Sequence, residues 1–144
     1  MHAWRISRLL LWACVGMCVC APAVLAAGDG VFICKFGDLF IRTELFFGLG
    51  RAIGPNVTEE EFRMFLEEHV TPRFPDGLTV LTGRGQFRNS SGDIEREPSK
   101  LVIILYPPDQ EKAHNKIEKI REEYKTTFQQ ESVLRADSTE CVSF

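Results

Sequence analysis

The stretch that decides the fold is LVIILY, residues Leu101 to Tyr106, six apolar residues in a row. A polar segment, 97–100, precedes the run, and Pro107 and Pro108 end it. A short apolar run that is rich in β-branched residues and is closed by proline is typical of a strand covered on both faces. We therefore expect residues 101–106 to form a central strand of a sheet, with the other elements arranged around it.

Upstream of this run, residues 39–47 have the pattern of a second strand. Leu45 and Phe47 fall on one face of it, while Arg42 and Glu44 fall on the other. A side-chain period of two predicts a strand with two different faces.

Two segments carry the signals of helices. Thr58 and Glu61 have the spacing of a capping box, and the helix that they open must end by Thr71 because Pro72 follows. A second helix is predicted after the two prolines, with Asp109 as its N-cap. Apolar residues recur at helical spacing in both segments. They are Phe62, Phe65, Leu66 and Val70 in the first, and Ala113, Ile117, Ile120 and Tyr124 in the second.

Two further strands complete the pattern. One begins at Leu78 and contains Gly83 and Gly85, glycines that indicate a bulge or the close approach of another part of the chain. A hairpin loop over residues 89–93 joins it to the central strand. The last strand is predicted over residues 133–137.

The order strand, helix, strand, strand, helix, strand is that of the ferredoxin-like split β-α-β fold (βαββαβ), in the α+β class. Right-handed crossovers place strands one and three in the middle of a four-stranded antiparallel sheet, with two helices on one face. The other face stays open, and an apolar central strand requires that something cover it. A second copy of the protein, the C-terminal tail or a ligand would each do so.

The N-terminus has the features of a secretory signal peptide. Two basic residues precede an apolar segment over 9–19, and small residues lead to a cleavage site after Ala26. The apolar segment is shorter than the ~20 residues that a spanning helix needs, which favours a cleaved leader over an uncleaved anchor. We expect residues 1–26 to be a signal peptide and 27–144 to form a single α+β domain. The mature protein would be periplasmic or secreted, with no membrane span.

The charge of the chain excludes two classes of partner. The formal net charge is −3, and removing the leader takes away two basic residues and no acidic one, which leaves −5. A moderately acidic domain without a basic tract has no electrostatic footprint for nucleic acid or for an anionic membrane surface. The sequence also has no phosphate loop, zinc-ligand set or hydrolase elbow, so it predicts no metal and no cofactor.

Two cysteines stay in the mature chain, Cys34 and Cys141, one near each end. In an oxidising compartment such a pair predicts one disulfide that closes almost the whole domain, the alternative being two free buried thiols. The predicted topology supports the disulfide, because it makes strands one and four antiparallel neighbours and so brings the two cysteines towards each other.

Six short stretches of the chain form a recognisable series. They are RTELFFGL (42–49), TPRFPDGLTVL (71–81), GRGQFR (83–88), REPSKL (96–101), ESVLR (131–135) and CVSF (141–144). Together they resemble an exported bacterial family of unknown function, DUF3574, over residues 40–144. The resemblance implies an exported bacterial protein. It implies no activity, because the family has no established catalytic residues to carry over.

One group of residues has the chemistry of an anion site. Arg84, Gln86 and Arg88 share a face of strand two, beside glycines that let a ligand come close. Four residues of the other strands could face the same side: Arg42, Glu44, Tyr106 and Arg135. Fixed guanidinium groups on an apolar sheet suit a carboxylate or a phosphate.

A structural role is the alternative for these arginines. Arg84 and Arg88 would then form exposed ion pairs with Glu95 and Glu97 across the hairpin.

The sequence leaves two hypotheses for function. The first is a non-catalytic module that forms a homodimer through the open sheet face and binds a small anionic ligand or an envelope protein. The second is a small-molecule enzyme resembling the dimeric α+β barrels, with the open face enclosing a small organic acid. The missing catalytic motifs favour the module.

Overall fold

A computed structural model describes residues 33–51, 53–88, 91–110 and 112–144. Its elements follow the predicted order. They are β1 (Asp38–Gly48), α1 (Glu59–Phe65), β2 (Thr79–Arg88), β3 (Ile94–Tyr106), α2 (Ala113–Phe128) and β4 (Leu134–Val142). The predicted signal peptide, residues 1–26, lies outside the described residues.

The four strands form one antiparallel sheet in the order β2-β3-β1-β4. The predicted α+β fold is confirmed, with β1 and β3 in the middle, and β3 contains the apolar run that suggested a central strand. No helix among the described residues is long and apolar enough to cross a membrane.

The core lies between one face of the sheet and the two helices. Leu45 and Phe47 of β1 are fully buried, as the alternation predicted. The ring of Phe47 is 4.6 Å from that of Tyr124 of α2 and 5.6 Å from that of Phe62 of α1, both in edge-to-face geometry. Such contacts stabilise the core beyond the burial of the rings themselves. They also show that both helices lie on the same face of the sheet.

The start of α1 confirms the predicted capping box. The Thr58 hydroxyl accepts a hydrogen bond from the Glu61 N–H, and the Glu61 carboxylate accepts one from the Thr58 N–H at 2.8 Å. The guanidinium of Arg51, 2.8 Å from Glu61, and then the Thr58 backbone and hydroxyl lower the pKa of Glu61 to about 2. The helix continues as a π-helical segment, Leu66–Val70, before the predicted end at Thr71.

The start of α2 and the end of β4 differ from the prediction. Asp109 is not the N-cap, because α2 begins at Ala113 after Lys112, whose φ of 63° is left-handed. The residues before it form a turn in which the Gln110 N–H donates to the Pro107 carbonyl at 3.1 Å. The last strand extends beyond the predicted residues 133–137, because it pairs with β1 as far as Val142.

β2 contains no bulge, and one of its two glycines, Gly83, makes a close approach. Pairing with β3 is continuous from Thr79 to Arg88. A Cβ on Gly83 would lie 3.2 Å from the Ser99 hydroxyl oxygen. Because the ladder is unbroken, every second residue of β2 stays on the same face.

The disulfide between Cys34 and Cys141 is present, with 107 residues of sequence separation. It ties the segment before β1 to the end of β4, as the predicted topology suggested. Such a bond fits an oxidising compartment outside the cytoplasm.

Candidate functional site

The strand register separates the residues predicted to bind a ligand. Tyr106 pairs with Ile41, so it lies on the helix-covered face and is only 7% exposed. Arg42 is the next residue along β1, and its side chain lies on the opposite, open face. The expectation that Arg42 and Tyr106 face the same side is therefore wrong.

Arg84, Gln86 and Arg88 do share a face, as predicted, but not the open one. They lie on the same face of β2 as Val80, and Val80 pairs with Val102, which is fully buried on the helix-covered face. Arg84 lies opposite Pro98, so roughly 26 Å of strand separates it from Tyr106 at the other end of β3. The structure does not bring the predicted ligand-binding residues together, which are Arg42, Arg84, Gln86, Arg88 and Tyr106.

The alternative, in which Arg84 and Arg88 pair with glutamates across the hairpin, is also wrong, because neither arginine lies directly opposite a glutamate. Arg84 faces Pro98 and Arg88 faces Ile94, whereas Glu95 and Glu97 point to the other side of the ribbon. Arg88 instead donates to the carbonyl of Gly92 at 2.6 Å.

Tyr106 belongs to a buried polar chain between three strands. The hydroxyl of Thr43, which is fully buried, donates to a carboxylate oxygen of Asp137 at 2.5 Å. Because its single hydrogen is used there, it accepts from the Tyr106 hydroxyl at 3.1 Å. Arg135 holds Asp137 from the other side, with Nε 2.9 Å from Oδ2. Tyr106 and Arg135, both candidates from sequence, thus stabilise the packing of β1, β3 and β4.

A second polar cluster lies where β1 ends, around Glu97. The Gly50 N–H donates to Glu97 Oε2 at 3.0 Å, and a Cβ on Gly48 would lie 2.8 Å from both carboxylate oxygens. The amide of Gln130 donates to the Gly50 carbonyl, and the hydroxyl of Tyr124 donates to the Gly48 carbonyl at 2.7 Å. Burial, and then the charge of Glu97, raise the pKa of Tyr124. The two glycines therefore leave the space that the Glu97 carboxylate occupies.

Sequence reasoning did not single out Glu97 as a candidate. The signal that could have found it is the pair Gly48 and Gly50, which breaks an otherwise regular strand. Paired glycines at the end of a strand allow another group to approach the backbone closely.

The open face of the sheet contains a cavity of about 460 Å³. Its lining is mostly apolar, and Asp76 and Thr79 are its polar side chains. The lining residues are Phe40, Asp76, Gly77, Leu78, Thr79, Ile103, Leu105, Pro107 and Phe144. A cavity of this size and composition can hold a small apolar molecule with one hydrogen-bonding end.

No set of three or more His, Cys, Asp or Glu side chains in the described ranges is arranged to hold a metal ion.

Comparison with known proteins identifies the family. A family model described as "Protein of unknown function (DUF3574)" matches residues 42–144. The chain belongs to this family. The match confirms the resemblance noted in the sequence, and the family description assigns no activity to DUF3574 proteins.

Two structures of a phage SAM lyase are among the solved structures similar to this DUF3574 protein. A phage SAM lyase in complex with S-methyl-5'-thioadenosine has 21% sequence identity and a TM-score of 0.58, with 74% of this chain and 86% of that chain covered. A phage SAM lyase in the apo state has 20% identity and a TM-score of 0.56, with 75% and 86% covered. At these identities the similarity shows a shared fold and nothing more. Comparison with curated proteins found no match.

Proposed function

We propose that this DUF3574 protein is an exported, periplasmic or secreted module that binds a small, largely apolar ligand on the open face of its sheet, without catalysis. The observation that carries the proposal is the cavity of about 460 Å³, which lies within the range of small-molecule sites. Exported location is supported by the disulfide and by the leader-like N-terminus.

The walls of the cavity favour an apolar ligand. Phe40 and Phe144 meet edge to face, with ring centroids 6.0 Å apart, at one side of it. Ile103 and Leu105, both from the central strand, line another part of the wall. Covering these side chains with an apolar ligand removes their surface from water, which stabilises the complex.

The charges of this face do not favour the small anion expected from the arginines. Asp76 is the charged side chain in the cavity wall. Arg42, the arginine on the open face, is 2.6 Å from Glu44 and is neutralised by it. A ligand whose polar end is neutral or cationic fits this distribution better than a carboxylate or phosphate.

The test uses N-phenyl-1-naphthylamine, a neutral apolar probe whose fluorescence rises in an apolar site. Phe144→Ala removes one wall of the cavity and is expected to weaken probe binding several-fold. Phe87→Ala is the matched control, because Phe87 is an exposed residue of β2 outside the cavity. Equal probe affinity in both variants and the wild type would rule out the cavity as the ligand site.

A second candidate is a small-molecule enzyme, and the shared fold with a phage SAM lyase favours it. In this chain Glu97 is the group that we assign to bind a sulfonium substrate, because its carboxylate is fixed by the Gly50 N–H beside Gln130. A fixed carboxylate attracts a cation. The small organic acid expected from the sequence has less support, since the predicted arginines do not converge.

This candidate is tested by incubating the protein with S-adenosylmethionine and measuring S-methyl-5'-thioadenosine by chromatography. Activity that Glu97→Gln abolishes and Glu131→Gln, an exposed control, retains would establish the enzyme. Absence of product with the wild-type protein would rule out this enzyme and favour the non-catalytic binding module.

A further inference from the structure

A row of apolar side chains crosses the open face of the sheet from edge to edge. Leu81 of β2 pairs with Leu101 of β3, Leu101 pairs with Phe46 of β1, and Phe46 pairs with Leu134 of β4. Leu81 is 49% exposed, Phe46 39% and Leu134 59%. A contiguous band of large apolar side chains in water marks an interaction surface.

The charges beside this row are self-complementary. Arg42 and Glu44 both lie on the open face of β1, one strand repeat apart. Nε and Nη2 of Arg42 both donate to Glu44 Oε1, at 2.9 and 2.6 Å. Oε2 of Glu44 and Nη1 of Arg42 have no partner among the described residues, so each can still contact a second chain.

We propose that the open face is covered by the same face of a second copy of this chain. The two-fold axis would lie between the two sheets, perpendicular to the strands, and pass over β1 at Thr43, so that the two β1 strands run antiparallel. Arg42 of one copy then meets the partner subunit's Glu44, and Glu44 meets the partner subunit's Arg42. An interface that uses one patch twice in this way is the usual form of a two-fold dimer.

The same axis brings apolar side chains of the two β1 strands together. Phe46 lies as far along β1 from Thr43 as Phe40 does in the other direction, so Phe46 meets the partner subunit's Phe40. Phe46 of each copy therefore packs against the end of the partner sheet that carries the cavity, while Leu134 lies opposite Glu140 of the partner subunit. Aligned packing of two sheets over interdigitated apolar side chains is a common architecture.

The first test is the mass of the purified protein in solution by light scattering and analytical ultracentrifugation, without added ligand. We expect a dimer. Leu134→Asp places a carboxylate in the apolar row at an exposed edge position and is expected to weaken the dimer by about 100-fold or more. Ile94→Asp is the matched control, because Ile94 is 45% exposed on β3 and lies on the other face of the ribbon. It should leave the dimer intact.

The second test separates a contact between copies from a contact within one copy. Arg42→Glu makes the pair wholly acidic and Glu44→Arg makes it wholly basic, so each variant alone is expected to be monomeric. Mixing the two variants should give a heterodimer, because opposite charges then face each other across the axis.

A monomeric wild-type protein would overturn the proposal, and so would a dimer that Leu134→Asp leaves intact. A trimer, or a mixture that stays monomeric, would overturn the two-fold arrangement. The proposal does not rest on the ligand, since the mass is measured without probe and Leu134, the residue changed in the dimer test, does not line the cavity. Loss of probe binding and loss of the dimer are therefore separate outcomes.

Discussion

Replacing Thr43 with valine should expose the energetics of the buried polar chain. Thr43→Val keeps the shape of the side chain and removes the hydroxyl that lies 3.1 Å from the Tyr106 oxygen and 2.5 Å from a carboxylate oxygen of Asp137. The two neighbours respond differently. Tyr106 is buried, so its hydroxyl loses its acceptor with little access to water, whereas Asp137 is an exposed residue and keeps Arg135.

The expected loss follows from these environments. An unsatisfied buried hydroxyl costs about 1–3 kcal/mol, and the lost hydrogen bond to a carboxylate that water can reach costs about 1 kcal/mol. Thr43→Val should therefore lower the free energy of unfolding by about 2–4 kcal/mol. Tyr106→Phe, which leaves the Thr43–Asp137 bond in place, should cost only about 1 kcal/mol. In the double variant no hydroxyl is left unpaired, so its loss should be smaller than the sum of the single losses by about 1 kcal/mol or more.

The measurement is urea unfolding of the four proteins of this cycle, followed by far-ultraviolet circular dichroism. Both tryptophans of the chain precede residue 26, so circular dichroism is the better probe for a protein that consists of residues 27–144. Strict additivity of the two single losses would refute the reasoning, because it would mean that the two hydroxyls do not interact.

Three further predictions concern stability. Replacing both Cys34 and Cys141 with serine should lower the free energy of unfolding by about 4–5 kcal/mol, because the bond closes a very long loop. Equal urea midpoints for this variant and the oxidised wild type would contradict the prediction. Gly48→Ala should displace the Glu97 carboxylate, 2.8 Å from the new Cβ, at a cost of about 1–3 kcal/mol in urea unfolding. Adding Glu97→Ala should recover part of that loss. The pKa of Glu61 is about 2 in the folded protein against 4.5 ordinarily, so its stabilisation is present above pH 4.5 and is lost as the pH falls towards 2. Glu61→Gln should make the urea midpoint less dependent on pH over that range. If the midpoint of the variant changes with pH as steeply as that of the wild type, other groups cause the pH dependence.

The fold could be predicted because its signals are local. The alternation of β1 and the capping box at Thr58 each need only a few neighbouring residues. Their order and the right-handed crossovers then give the topology, and the positions of the two cysteines agree with it. The start of α2 escaped prediction because backbone hydrogen bonds form the turn after Pro107, and these leave no sequence signal. Asp109 is a residue type that often caps helices, but α2 begins only at Ala113.

The site was harder to predict because it depends on the register between strands. One residue of register decides whether Arg42 and Tyr106 share a face, and neither sequence pattern contains that information. Glu97 escaped for a related reason, since it meets Gly50 across 47 residues of sequence. Side chains that act together here come from separate strands, whereas the sequence shows each strand alone.

The disulfide has a mechanical consequence. A chain pulled apart by its two ends would transmit most of the force through the bond between Cys34 and Cys141, and only the end of β4 at Val142 would be loaded in the sheet. The 107 residues of separation correspond to roughly 350–385 Å of extended chain that stays hidden while the bond is intact. After reduction, that length becomes available when the sheet unfolds under the force. A single molecule stretched with and without reductant would therefore report the oxidation state of this protein as a distance.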